Sequence, residues 1–302
     1  MNTVRENVCY KNDTLENQYT FRNKAKQFWR RFSRNKASVV ALVILLCIIL
    51  LGVLAPFIVS YEDVTVKLDA TQTLMPPSGE HIFGTDIMGR DMFGRIIHGV
   101  RYSVSIGILV AFSIVVIGCV VGMSAAYFGG VWDTLVMRAC DIFMCIPGTL
   151  FTLTLVMVFG TGFSAMVTAL IISGIPGCSI VMRSLVLNIV RQEYIEAAKA
   201  NGVRPLRMIF KHIAPNAMGP IFLNAAMNIS ANIMSIAGLG FIGVGIQEPT
   251  PEWGTMVSTG LPYILRAPHM VLIPGAFIAL VSLSFNLLGD GLADALDPKL
   301  KD

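Results

Sequence analysis

"EYIEAAKANGVRPLRMIFKHIAPN", residues 193–216, is a charged, helix-forming stretch set between two long apolar runs, 164–182 and 217–243. Both flanks are built for lipid, whereas this segment is built to meet something in water. Working outward, a bilayer crossing takes about 20 residues at about 1.5 Å each. Runs of that length occur at 38–59, 103–128, 140–162, 164–182, 217–243 and 268–289. Six spans are predicted, and 193–216 is the polar connection between the fourth and the fifth.

The composition agrees. The 302-residue chain is 54% hydrophobic and 14% charged, with a mean hydropathy of +0.67, against about 25% charged residues in soluble domains. Within the six windows the only ionised side chain is Asp141, at the edge of the third. An intramembrane proton relay is therefore not expected.

Lys and Arg in the connections set the orientation, because the inner side collects them. The N-terminal tail holds nine, among them Arg5, Lys11, Arg30, Arg31 and Lys36, and the 183–216 loop holds six. If six spans alternate, Arg138, Lys299 and Lys301 join that side, and five remain opposite. Both termini are expected to be cytoplasmic. A polar tail of 37 residues precedes the first span and no small-residue cleavage motif follows it, so that span reads as a retained anchor. Trp29 and the arginines of "RRFSRNK" suit the lipid interface. The net charge of +4 reflects the inner-face bias, and no aromatic-basic surface suggests nucleic acid.

Of six cysteines, Cys9 lies in the tail and Cys47, Cys119, Cys140, Cys145 and Cys178 lie in or beside spans; none has CxxC spacing, so neither a disulfide frame nor a zinc site is expected. In the second span Gly118 and Gly122 are four apart, a spacing that lets another helix approach closely. Pro147 in the third span, and Gly174, Pro176 and Gly177 in the fourth, predict kinks. "GLGFIG" imitates a dinucleotide fingerprint but ends a membrane helix and follows no soluble strand.

Enzyme chemistry is not expected. There is no GxxxxGK[ST], and the dipeptide Gly-Lys is absent, so the chain holds no phosphate-binding loop. The four histidines are scattered, and HExxH and GxSxG are missing. Such a chain is either passive or driven by another subunit.

The opening stretch bears on that choice. Residues 187–201 read as one helix, with Leu187, Val190, Tyr194, Ala198 and Asn201 on one side and Glu196 opposite, beside Lys199. Ala197 and Ala198 leave room for another protein's surface. Gly202 suits the left-handed residue that ends a helix, and Pro205 suits the start of the next. That second helix, 205–212, carries Arg207 and Lys211 and is expected to break at Pro215, with Asn216 capping the fifth span. Spacing alone favours an ordinary amphipathic interfacial loop.

"EAAKANG" followed after nine residues by "HIAP" resembles the EAA motif of the transmembrane subunits of binding-protein-dependent ABC importers, in the form of the dipeptide, oligopeptide and nickel permease C subunits. "FGTDIMGRDMFGR", "AYFGGVWDTLVMRACDIF", "PTPEWGTM" and "NLLGDGLADALDPKL" are similar to further signatures of that family, so the resemblance covers about residues 25–302. Ala214, where Leu is usual, and Gly94, where Ser is common, depart from the pattern.

The resemblance implies an all-α, polytopic membrane protein with six transmembrane helices, of the type I ABC importer (MetI-like) permease fold, in the bacterial cytoplasmic membrane. It divides the chain into a cytoplasmic tail (1–37), a first helix with an extracytoplasmic loop (38–100), a permease core (101–290) bearing the coupling loop 184–216, and a cytoplasmic C-terminal tail (291–302). It implies that Tyr194, Glu196, Ala197, Ala198, Lys199, Gly202, Pro205, Arg207 and Pro215 serve ATPase coupling. Gly84, Thr85, Asp86, Gly89, Arg90, Asp91, Arg95, Pro251, Trp253 and Gly254 fall in its extracytoplasmic signatures. The implied partners are a second, homologous permease (a heterodimer), two ATP-binding subunits, an extracytoplasmic solute-binding protein and membrane lipid. No cofactor or metal is expected in this chain; ATP and Mg would sit in the ATPases. Import of di- or oligopeptides is the expected function. Nickel or metal-chelate uptake by the same architecture is one alternative, and a passive channel or secondary transporter another.

Overall fold

A computed structural model describes residues 21–296. Cys9, Arg5, Lys11, Lys299 and Lys301, and the end of the last signature, lie outside the described residues. Among those residues the chain is helical, with one isolated antiparallel bridge, Thr85–Asp91. The helices are α1 (Phe21–Phe32), α2 (Lys36–Ile58), α3 (Met92–Phe128), α4 (Gly130–Met144), α5 (Gly148–Phe159), α6 (Phe163–Val190), α7 (Glu193–Ala200), α8 (Pro205–Phe241), α9 (Trp253–Gly260) and α10 (His269–Leu296). Helices α2, α3, α6, α8 and α10 are each long and apolar enough to cross a membrane, and α4 with α5 makes a sixth span if the bent pair counts as one.

Four local expectations are corrected. The third span, expected at 140–162 as one kinked helix, is a pair, α4 and α5, meeting at 88°. Pro147 has no N–H to donate and pushes the preceding residue away from helical geometry, so the chain turns over Cys145–Pro147. The fourth span, in contrast, runs unbroken through Pro176.

The helix expected over 187–201 is interrupted: α6 ends at Val190, Gln192 is extended (φ −80°, ψ 143°), and α7 begins afresh. Ile195, fully buried among Val186, Met208 and Ile213, explains the turn. Two residues of break rotate α7 so that Ile195, rather than Tyr194, faces the core.

Pro215 does not break the next helix, which continues from Pro205 to Phe241. A π turn over Ile209–Ile213 lets the Ala214 N–H reach Ile209 O, so Pro215 enters where its missing N–H has no helical acceptor to serve. Asn216 caps nothing; its Nδ2 donates to His212 O at 2.6 Å. Lastly, α3 starts at Met92 rather than 103, so the boundary drawn between 100 and 101 falls inside a helix.

Two large apolar cores run along the bundle, beside a small cluster of Val156, Ala169 and Val244. One joins the second half of α3 to α6, α7 and the start of α8, through residues such as Ile114, Met182, Ile195 and Ile213. The other joins α2, the first half of α3, the end of α8, α9 and α10, through Leu45, Ile96, Trp253, Met270 and Phe285. Gly118 and Gly122 bring α3 against α6: a Cβ at Gly118 would stand 2.6 Å from Cys178 Sγ, and one at Gly122 2.5 Å from Ser179 O. The backbones are in direct contact there, which a larger residue would forbid.

Among the described residues α1 is docked where α2 meets α10. Phe32 is buried, Asn35 Nδ2 donates to Asp294 Oδ2 at 3.1 Å and Ser38 Oγ donates to Leu287 O at 2.7 Å. Trp29 stays exposed.

Candidate functional site

The sequence-predicted residues gather at opposite ends of the bundle. At one end α7 is held through Ile195, which is buried, and Ala198, which is half-buried against the same core, while Glu193, Tyr194, Glu196, Ala197, Lys199 and Ala200 are exposed. The Lys199 ammonium lies 5.2 Å from the centre of the Tyr127 ring, at the end of α3, an attractive placement over the π face. Gly202 has φ +74°. Its N–H bonds to Lys199 O and that of Val203 to Ala198 O, the two bonds that close a helix in a Schellman turn. Arg204 is then extended and Pro205 opens α8. Gly202, Pro205, Arg207 and Pro215 are all exposed. A Cβ at Gly202 would meet nothing within 4 Å, so backbone conformation, not crowding, is what calls for glycine.

Close by, the Arg183 guanidinium of α6 donates from both Nε and a terminal nitrogen to the two Asp133 oxygens of α4. The outer face of the elbow is thus loose in solvent, while its root is fastened to α3, α6 and α8.

At the other end, the segment before α3 is a folded knot. Asp86 and Arg90 close a turn: Asp86 Oδ1 accepts from Met88 N and Arg90 N (2.8 and 2.9 Å), and Oδ2 accepts from Arg90 Nε at 2.6 Å. Gly89 at its corner has φ +75°, and a Cβ there would collide with Asp69 O. Gly84 likewise abuts His269. Thr85 Oγ1 donates to Gln72 O and accepts from Met75 N. Asp91 caps α3 by accepting from Gly94 N at 2.8 Å, and its other oxygen binds His81 at 2.8 Å.

The two arginines lie inside this knot, Arg90 2% and Arg95 1% exposed. Arg90 reaches Glu248 at 2.9 Å, and Arg95 stands 3.7 Å from Asp86 and 3.5 Å from Glu248. Two cations and two carboxylates thus form a neutral, buried box. Trp253 is fully buried and donates from Nε1 to Ile96 O at 3.1 Å, with Gly99 against its indole. Gly254 presses on the Ala237 backbone and Pro251 is buried beside it. Glu252, buried, caps α9 by accepting from Gly254 N and Thr255 N, both at 2.8 Å. Its burial raises the carboxyl above the ordinary carboxylate range, although those N–H groups pull the other way.

Glu248, Glu252, His81, His269 and Ile195 were not singled out in the sequence. Arg90 and Arg95 require carboxylates if they are buried, and Glu248 and Glu252 are the only acidic residues between 242 and 268; burial itself was the unreadable part. Among the described residues no group of three or more His, Cys, Asp or Glu is placed to hold a metal ion, and Cys47, Cys119, Cys140, Cys145 and Cys178 are free.

Comparison with known proteins follows the same lines. Residues 114–302 match the family described as binding-protein-dependent transport system inner membrane component, and residues 24–77 match the N-terminal TM domain of oligopeptide transport permease C. The chain is 38% identical over 286 residues to the dipeptide transport system permease protein DppC of Alkalihalophilus pseudofirmus, covering 95% of this chain and 93% of that one. It is 37% identical over 275 residues to the glutathione transport system permease protein GsiD of Escherichia coli, covering 91% and 90%. Among solved structures, inward-facing MetNI, a methionine ABC transporter, aligns with a TM-score of 0.57 at 19% identity, over 68% of this chain and 98% of that one. The shared helical architecture is the type I importer fold. The chain belongs to the binding-protein-dependent transport system inner membrane components, and is a multi-pass permease subunit of an ABC importer of the dipeptide and oligopeptide permease C type.

Proposed function

We propose that this chain forms half of the translocation pathway of an importer for di- or oligopeptides. It pairs with a second, homologous permease, receives its ligand from an extracytoplasmic binding protein, and takes its work from two ATPases that hold the ATP and Mg. Both termini are cytoplasmic in this reading, and α7 is the coupling helix.

The observation that carries the proposal is the construction of α7. Its outward residues Glu196 and Ala197 are exposed, its root is pinned through Ile195, and its exit angle is set by Gly202 and Pro205. Such an element transmits a displacement from water into the membrane bundle. The peptide substrate rests on the names of the dipeptide and glutathione relatives.

The test is reconstitution of the four kinds of subunit in proteoliposomes. Uptake of a labelled dipeptide should require both ATP inside and binding protein outside. A Glu196→Cys chain should crosslink to an ATPase subunit, and Gly202→Trp should assemble yet hydrolyse ATP without uptake. Normal uptake by Gly202→Trp, or a cysteine at 196 that never captures an ATPase, would refute the coupling role. Nickel uptake with no dipeptide uptake would move the substrate to the metal alternative, and flux through the purified chain without ATP would make it a channel.

A further inference from the structure

The buried box takes up Arg90 and Arg95 but leaves Arg101, further along α3. Among the described residues the Arg101 guanidinium makes no hydrogen bond or ion pair, and neither does the Ser105 hydroxyl one turn on. Other serines of α3 are occupied: Ser113 Oγ donates to Leu109 O and Ser124 Oγ to Val121 O, both at 2.8 Å. Arg101 and Ser105 are exposed, and with Tyr102, Ile106, Leu109 and Phe163 they line a cavity of about 320 Å³. At about 30 Å³ for each water it has room for about ten, the bulk of a small polar headgroup.

Depth selects the ligand. The apolar run of α3 begins at residue 103, so Arg101 stands at the edge of the hydrocarbon, at the end of the bundle that carries the knot. Phe163, which opens α6, shares the cavity with it. A guanidinium keeps its charge, and at that depth it is costly unless it reaches the interface and a counter-charge. From Arg101 downward, Ser105, Leu109, Phe112 and Val116 follow at steps of three and four on one face of the helix, and all are exposed. From Ser105 to Val116 is about 16 Å at about 1.5 Å per residue, about half of a hydrocarbon core of about 30 Å. That face is bulky, whereas α3 meets α6 through Gly118 and Gly122. Helices in lipid meet through small residues, so the stripe suits an acyl chain rather than a neighbouring helix.

We propose that Arg101 and Ser105 seat the phosphate of a phospholipid from the leaflet on the knot's side. The guanidinium pairs with two phosphate oxygens, a charge-assisted fork for which Arg is the best-shaped side chain, and the Ser105 hydroxyl donates a further bond. Tyr102 and Phe163 flank the headgroup, as aromatic residues do at the membrane–water interface. Leu109, Phe112 and Val116 lie along one acyl chain. A free anion or a peptide carboxylate would satisfy the guanidinium but leave the stripe below it uncovered. The site stands apart from the coupling elbow, at the opposite end of the bundle, and does not depend on which solute is imported.

The experiment uses the assembled importer, purified in detergent, stripped of lipid and titrated with phosphatidylglycerol, with bound lipids counted by native mass spectrometry. Arg101→Gln should hold one tightly bound lipid fewer than the wild type, its dissociation constant raised about tenfold or more, the worth of a hydrogen bond to a charged group. Arg101→Lys, which keeps the cation, should keep the lipid. In lipid-free detergent the melting midpoints of wild type and Arg101→Gln should coincide, because Arg101 bonds nothing within the chain, and added phosphatidylglycerol should raise the wild-type midpoint further. Equal lipid counts and affinities in wild type and Arg101→Gln overturn the proposal. So does release of the wild-type lipid by inorganic phosphate or dialanine, which would make this a water-facing anion site. Capture of the second permease by crosslinking from Arg101→Cys would make it a subunit interface and overturn the proposal too.

Discussion

Replacing Asp86 with alanine should loosen the whole end of the molecule that carries the 60–91 loop. Asp86 is 3% exposed. Its carboxylate accepts from Met88 N, Arg90 N and Arg90 Nε, and it faces the Arg95 guanidinium at 3.7 Å. Without it, two buried cations share Glu248, whose side chain is 25% exposed. Removing one partner of a buried pair costs about 3–5 kcal/mol, because the other charge remains where water cannot reach it. Glu248 still compensates part of that charge, which favours the lower end, but two backbone N–H groups lose their acceptor at about 1 kcal/mol each. A net loss of about 3–5 kcal/mol results, a large share of the roughly 5–15 kcal/mol typical of a folded protein.

The assay is thermal: detergent-purified protein is heated in steps and the monodisperse fraction measured by size exclusion. Asp86→Ala should lose several degrees, and Glu80→Ala, at an exposed position of the same loop, none. Adding Arg90→Met to Asp86→Ala should restore part of the loss, because an apolar replacement of both partners removes the stranded charge. Asp86→Ala melting at the wild-type midpoint, or a double variant no better than the single, would refute the buried-box account.

Three further outcomes are expected. The Glu252 carboxyl is raised by burial above its ordinary 4.5, so its contribution to stability is full below pH 4.5 and lost as pH rises through the raised folded value. The midpoint of the wild type should therefore decline relative to Glu252→Gln between pH 4.5 and neutrality, and a pH-independent difference between them would contradict this. Gly122→Val places a methyl-bearing carbon 2.5 Å from Ser179 O, and overpacking of about 1–3 kcal/mol should lower its melting midpoint; an unchanged midpoint would mean that α3 and α6 separate freely. At Gly202 only the positive φ matters within this chain, so Gly202→Asn should retain uptake, whereas Gly202→Val, strained by about 1–2 kcal/mol, should reduce it. Equal loss in both would show that the ATPase, not the backbone, requires glycine there.

Much was readable from the chain alone. Five of the six spans are single apolar helices close to where hydropathy places them, because lipid leaves the backbone no alternative to internal hydrogen bonds. The Gly202 turn was legible because a left-handed corner selects glycine, and the Gly118 and Gly122 contact because only small residues admit a neighbouring backbone. The family was legible because several signatures recur in order along nearly the full length.

What the sequence left open depended on burial and on partners far apart in the chain. The burial of Arg90 and Arg95 turned on Glu248, 158 residues from Arg90. The break between α6 and α7 obeys no local propensity; it follows from turning Ile195 into a core assembled by α6 and α8. The passage of α8 through Pro215 likewise depended on a π turn that no spacing rule announces. By itself the sequence determined that this is a membrane chain with a polar elbow, since hydropathy and turn chemistry act over a few residues. Only the tertiary structure decided which polar groups are buried and which are paired, since those are properties of contacts between distant helices.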